Sequence, residues 1–371
     1  MGEARAPTPV AAVAALRAYD PGHDLVALRR TASAPLLELG SNENPDGPSP
    51  RVRDAILGVL DTLHLYPDPR GGDLRHALAA RHGIAMPQVV LGNGSHELLM
   101  QLAQAYAGPG GEVVMSQYGF AVFAIAAQAS GARLRVAPAR AADTAMPRGH
   151  DLDALLDAVG PATRLLYLAN PNNPTGTWYP AEAFRHFLDA VPADVVVVVD
   201  EAYAELADAP DWRSAVPLVA HRDNLVVTRT FSKAYGLAGL RVGYALAGAA
   251  VAPVLDRLRE SFNVGSVGLA AAVAALADDA HLDACRTRNA RRREALATAL
   301  RARGWPVTPS QANFLLVEFG DAAAAIEEGL LARGIVLRPM TGYGLPRCLR
   351  IGVGDEAGTA RLLQALDEVV R

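Results

Sequence analysis

An α/β fold with a mostly parallel central sheet sandwiched by helices is predicted by three features of the 371-residue chain. From about residue 73, helical segments alternate with short β-branched runs, a rhythm that implies crossover connections and a sheet covered on both faces. The VVVVV run at 195–199 suits a central strand buried on both sides. Beyond residue 266 a long Ala- and Arg-rich helical segment gives way to short apolar strands, which indicates a smaller second domain.

Taken in order, residues 1–18 read as a loosely held arm or short helix, closed by the turn signal Tyr19-Asp20-Pro21-Gly22. A short apolar stretch at 36–39 precedes SNENPDGPSP at 41–50, which is too rich in Asn, Pro and Gly to be regular structure. Helical spacing covers 50–60, and YPDPRGG at 66–72 breaks the chain again. Helices are then expected at 73–82, 96–107, 122–130, 152–159 and 181–190. Strands are expected between them at 89–91, 112–116, 133–136, 164–169, 194–199 and 225–229. Beyond Gly243 the pattern reads as helical, with one long helical segment over 268–303. A strand at 313–318, a helix at 322–333, strands at 335–338 and 349–353 and a helix at 359–370 complete the chain. Three regions result: 1–72, an N-terminal arm and part of the small domain; 73–265, the large domain; and 266–371, the C-terminal small domain.

Composition excludes several function classes. Hydrophobic residues at 51% and charged residues at 20% make an ordinary soluble balance, and a net charge of −4 leaves no basic footprint for nucleic acid. Cys285 and Cys348 stand far apart with no CxxC or His–Cys spacing, so buried thiols in a cytoplasmic protein are expected, with no disulfide framework and no metal. No apolar run is long enough to span a membrane, and the N-terminus lacks the apolar core of a signal peptide.

One compositional asymmetry points to chemistry. Of the 35 basic residues, Lys233 is the only lysine. Arginine-rich usage alone could leave one lysine by chance, but only lysine can lose its proton at accessible pH and form an imine with an aldehyde. Its surroundings decide the matter. In a doubly wound sheet, ligands lie at the carboxyl ends of strands. Gly94-Ser95-His96 follows a strand and opens a helix, a place for a phosphate, although such a turn is often only an N-cap. NPNNPTG follows the strand at 164–169, where its turn residues could be purely structural. Asp200 directly after five valines is a buried acid that needs a partner, unless it merely caps the next segment, and Tyr203 is close enough to share its site. Thr230, Ser232 and Arg241 add the hydroxyls and guanidinium of a phosphate grip around Lys233. An amine, a phosphate grip, a buried acid and a nearby Asn and Tyr together describe a pyridoxal phosphate site, in which a protonated ring acts as electron sink.

NPNNPTG (170–176), DEAY (200–203) and TFSKAYGLAGLRVG (230–243) resemble the fold type I pyridoxal-phosphate aminotransferases. SNENPDGPSP, YPDPRGG, SQYGFAVF (116–123) and GIVLRPMTGYGLPRCLRIGVG (334–354) are similar to the histidinol-phosphate aminotransferase branch, and the resemblance runs from about Tyr19 to the end. It implies that both chain ends build the small domain. It also implies that Lys233 binds the cofactor aldehyde and then moves the proton, with Asp200 on the ring nitrogen and Asn173 and Tyr203 on the ring oxygen. Ser95 and His96 backbone, Thr230, Ser232 and Arg241 would hold the cofactor phosphate, and Phe120, with Tyr118 as second choice, would stack on the ring. Tyr66 resembles the tyrosine that reaches the cofactor phosphate of a neighbouring subunit in a homodimer. Arg350 looks like the clamp for the substrate carboxylate, with Tyr19, Arg338 and Asn44 near the substrate side chain. Ser95-His96-Glu97 and Phe262-Asn263-Val264-Gly265 depart from the common pattern, the second beside the substrate pocket. The implied reaction is amino transfer between histidinol phosphate and 2-oxoglutarate, in histidine biosynthesis. Transfer to aromatic 2-oxo acids and decarboxylation of a phosphorylated amino acid are the rival activities on this scaffold. A cofactor-binding transcription regulator would carry a DNA-reading domain ahead of this part, and fewer than twenty residues precede Tyr19.

Overall fold

The computed structural model describes residues 7–32 and 34–371. Twelve strands are found among them: β1 (Leu37–Glu38), β2 (Val89–Asn93), β3 (Glu112–Ser116), β4 (Arg133–Ala137), β5 (Thr163–Ala169), β6 (Val196–Asp200), β7 (Leu225–Thr230), β8 (Val242–Ala247), β9 (Phe314–Glu318), β10 (Ile335–Val336), β11 (Arg338–Pro339) and β12 (Cys348–Gly352). Seven of these form one sheet in the order β2-β8-β7-β6-β5-β3-β4. β6 lies at its centre, and all five of its residues are buried, as the valine run requires. Each Val buried there contributes about 1.5–3 kcal/mol relative to exposure, so this strand has no stable place at an edge. One apolar cluster packs on each face of the sheet. The first contains Ala271, Ala275 and Leu282, so the contacts of the large sheet run past residue 265.

β8 corrects the sequence reading. The segment after Gly243, expected to be helical, is a fully buried strand that runs antiparallel to both β2 and β7, whereas the other neighbours in the sheet are parallel. Six apolar or small residues carry no period that separates strand from buried helix, so the sheet itself settles the outcome. The reversal has a functional result. The carboxyl ends of β2, β5, β6 and β7 share one edge of the sheet, and an antiparallel β8 brings its amino end, and Arg241 just before it, to that same edge. Thr230 pairs with Gly243, Asn93 with Val242 and Ala169 with Asp200.

The long helical segment is two helices, Ser266–Leu276 and Asp279–Ala302. Asp278 interrupts them because its carboxylate accepts from the His281 N–H and caps the second helix. The small domain contains an antiparallel sheet in the order β11-β12-β9, and β1 pairs in parallel with β10, so residues from both ends of the chain build it. Residues 335–338 form two short strands in different sheets, not one. In the three-stranded sheet Arg338 lies directly opposite Arg350. Register partners point to the same face, so this pairing sets two guanidinium groups side by side.

Candidate active site

The shared sheet edge and the small domain enclose a cavity of about 340 Å³. Its phosphate corner is built around the helix Gly94–Tyr106, whose first backbone N–H groups face the cavity end of β2. Arg241 Nη1 donates to Ser232 Oγ at 3.2 Å, and Thr230 Oγ1 accepts from the Ser232 N–H at 3.1 Å, so the hydroxyls and guanidinium are already gathered. Arg241 takes a left-handed backbone conformation (φ 54°), and its carbonyl accepts from the Gly94 N–H at 2.9 Å. Burial and the Arg241 charge hold His96 below its ordinary range, so at neutral pH its ring is uncharged beside this corner. Gly94 itself has φ +73°, and a Cβ there would lie 2.5 Å from Arg241 Nη2. Gly94→Ala therefore both strains the backbone, by about 1–2 kcal/mol, and displaces the guanidinium. Titration of the cofactor-free variant with pyridoxal phosphate is expected to show affinity reduced about tenfold or more, given 1.4 kcal/mol per factor of ten.

The floor of the cavity carries the buried acid. Asp200 accepts from the Thr228 hydroxyl at 2.8 Å, and among the described residues no cation forms an ion pair with it. Burial raises its pKa to about 7 despite that hydrogen bond, with Glu201 adding to the rise. A buried carboxylate in this state fits a ligand that brings a cationic N–H. Lys233 lines the same cavity, half-buried, with Nζ donating to the carbonyls of Ser41 and Asn42 at 3.2 and 3.1 Å. Burial and then the Arg350 charge lower its pKa to about 8, which leaves a share of the amine unprotonated at physiological pH. Tyr203 lies 5.9 Å from that amine, measured to its ring centroid, and burial pushes its pKa up to about 12, so it remains a neutral hydroxyl. Phe120 lines the cavity and crosses Phe123 edge-on at 5.8 Å. Tyr118 instead packs against the small-domain cluster of Leu316, Met340, Leu345 and Cys348, while its carbonyl accepts from Asn172.

The far end is cationic. Arg350 is buried, donates to Asn173 Oδ1 at 2.6 Å and to the Gly40 carbonyl, and stacks over Phe314 at 5.2 Å. Arg338 approaches Asp20 at 3.6 Å, and Tyr19 lies edge-on to His96 at 6.4 Å. Two of the residues named from sequence lie elsewhere. Asn44 donates to the Ala234 carbonyl at 3.0 Å and to Cys285 Sγ at 3.1 Å, behind Lys233 and outside this cavity. Tyr66 is 83% exposed, stacked on Phe262 at 4.6 Å, and takes no part in its own chain's cavity. Sequence reasoning missed Gly40, Ser41 and Asn42 as cavity residues, although the SNEN run had marked that loop as unusual. Among the described residues no group of His, Cys, Asp and Glu is arranged to hold a metal ion, and no helix is long and apolar enough to cross a membrane.

Residues 34–366 match the model of the aminotransferase class I and II family. Histidinol-phosphate aminotransferase 2 of Pseudomonas fluorescens is 45% identical over 358 residues, covering 96% of this chain and 95% of that protein. Its counterpart from Methylococcus capsulatus is 44% identical, covering 97% and 98%. Among solved structures, histidinol-phosphate aminotransferase from Sinorhizobium meliloti in complex with pyridoxal-5'-phosphate superposes with a TM-score of 0.88 at 34% identity, over 100% of this chain and 99% of that one. With a family model matched over most of its length and relatives that match from end to end, the chain belongs to the class I and II aminotransferases, in their histidinol-phosphate aminotransferase branch.

Proposed function

We propose that the protein moves an amino group between histidinol phosphate and 2-oxoglutarate, with imidazole-acetol phosphate and glutamate as the products, in histidine biosynthesis. Bound pyridoxal phosphate supplies an aldehyde that takes up the amine and a protonated ring that draws off electrons. Arg241, Ser232, Thr230 and the backbone at Ser95 and His96 hold its phosphate. Asp200 serves the ring nitrogen, Asn173 and Tyr203 the ring oxygen, and Phe120 one ring face. Lys233 Nζ would take the proton from the substrate Cα and deliver it to the cofactor carbon that carried the aldehyde.

The observation that carries the substrate assignment is the register pairing of Arg338 with Arg350. Like charges set opposite one another destabilise a sheet, and among the described residues only Asp20, itself 77% exposed at the side chain, approaches either of them as an acid. The substrate therefore has to bring negative charge. A phosphate on one substrate and two carboxylates on the other meet that demand, whereas phenylalanine brings one carboxylate. Arg338 and Tyr19 take the phosphate, and Arg350 the α-carboxylate of glutamate. Arg338→Gln is expected to raise KM for histidinol phosphate about 10–100-fold, since a hydrogen bond to a charged group contributes about 1.5–3 kcal/mol. KM for phenylalanine should change less than about threefold if that substrate leaves the position empty. Single-amine half-reactions followed by the loss of the cofactor's visible absorption provide the test, and turnover of phenylalanine without histidinol phosphate overturns the assignment.

We also place the enzyme in the cytoplasm as a homodimer. The exposure of Tyr66 and its stacking on Phe262 support a role across the subunit boundary, at the partner's cofactor phosphate.

A further inference from the structure

Residues 40–42 pass along the cavity with their carbonyls turned toward the reacting groups. The Gly40 carbonyl accepts from Arg350, and those of Ser41 and Asn42 accept from Lys233. Asn42 differs from its neighbours. It is buried, and its backbone is left-handed at φ 57°, a conformation that Asn and Asp tolerate better than most residues. Its carbonyl also accepts from Asn313 Nδ2 at 3.0 Å, which fixes the turn from the small domain. Held this way, the side-chain Nδ2 donates to Tyr203 Oη at 3.1 Å.

A phenolic oxygen that accepts one hydrogen bond still has its own proton to give. Among the described residues no group accepts that proton, and Tyr203 lines the cavity. We propose that Asn42 is a positioning residue of the reaction: its amide occupies the Tyr203 oxygen from behind and so directs the Tyr203 proton into the cavity, at the ring oxygen of pyridoxal phosphate. This rests on reading Tyr203 as the ring-oxygen partner. The residue type follows from the role. An amide can donate to Tyr203, whereas a carboxylate of the same shape can only accept and turns the hydroxyl away from the cavity. The titratable and charged groups around Tyr203 and Lys233 are Asp200, Glu43, Arg241, Tyr343 and Arg350. All of them are left in place by a change at position 42.

The test is the pH titration of the cofactor's visible absorption in the loaded enzyme, for the natural chain, Asn42→Asp, Tyr203→Phe and the double variant. A proton donated to the ring oxygen favours its anionic form, so losing it moves the titration midpoint upward. Tyr203→Phe and Asn42→Asp are each expected to raise the midpoint by about one unit, the size of a lost hydrogen bond to a charged group. The double variant should match Tyr203→Phe. An Asn42→Asp midpoint that stays put overturns the proposal. So does a rise of equal size in the Tyr203→Phe background, because the new charge would then act without Tyr203. An unmoved midpoint in Tyr203→Phe removes the ring-oxygen reading and the proposal with it. If Asn42→Asp does not fold, Asn42→Gly keeps the left-handed turn and the carbonyl on Lys233 while deleting the amide. Its midpoint should rise in the natural background and not in Tyr203→Phe, and a midpoint that stays put in both overturns the proposal.

Discussion

Lys233→Ala is expected to lower the rate of transamination by at least about 10⁴-fold, the upper range for loss of one positioned acid–base group, and to abolish the cofactor's visible absorption shift on binding. The expectation is sharper here than in most proteins because the chain contains no other lysine. No neighbouring ε-amine can take over. Borohydride treatment of the loaded natural protein should fix pyridoxal phosphate at this one residue, and treatment of the variant should fix none. Lys233→Arg should be as inactive as Lys233→Ala, since guanidinium keeps the charge but neither condenses with an aldehyde nor gives up a proton at accessible pH. The environment of Lys233 suits the proposed role near neutrality. Burial and the nearby Arg350 lower its pKa to about 8, while the carbonyls of Ser41 and Asn42 hold the amine in the cavity that Asp200 also lines. Activity above a few per cent in either variant would show that the amine is not the proton carrier.

Much of the lining of this cavity was legible in the sequence, and the reason is spacing along strands. A doubly wound sheet collects its strand ends at one edge, so Asn173, Asp200 and Thr230 are found together because the first follows, and the other two end, strands that run in the same direction. Arg241 was named as the guanidinium of a phosphate grip, beside the hydroxyls of Thr230 and Ser232. Its true placement depends on β8 running antiparallel, and the helical reading of that stretch had missed this. The pairing of Arg338 with Arg350 is invisible in one dimension, because it depends on how β11 and β12 are aligned. Asn42 escaped for a different reason. An Asn in a loop rich in Asn and Pro signals a turn, and its second partner, Tyr203, lies 161 positions away. The helix break at Asp278 shows the same limit on a smaller scale: the only mark of a stop in the Ala- and Arg-rich run is the pair Asp278-Asp279, and Asp278 acts through its cap on His281.

Asp200→Asn is expected to have opposite effects on the empty and the loaded protein. In the role proposed for Asp200, its carboxylate pairs with a cationic ring nitrogen of bound pyridoxal phosphate, and breaking a buried charge pair costs about 3–5 kcal/mol. Transamination should therefore fall by about 10²–10⁴-fold, at 1.36 kcal/mol per factor of ten, and the thermal midpoint of the loaded protein should drop. Without cofactor the sign reverses. Burial holds the Asp200 carboxyl at about 7, above its ordinary 3.8. Below the lower value the carboxyl is protonated both folded and unfolded, and it costs nothing. Between the two values the unfolded chain ionises while the folded one keeps its proton, so stability is lost as pH rises, and the loss is complete above about pH 7. Asn has no such dependence. The cofactor-free variant should be more stable than the cofactor-free natural protein at pH 8 by a few kcal/mol, as about three pKa units at about 1.36 kcal/mol each imply. That gap should close as pH falls toward 4. Thermal melts of both proteins, empty and loaded, across this range decide the point. A variant that is less stable than the natural protein in both states at pH 8 would mean that Asp200 already has a charged partner without the cofactor, and that the acid is structural.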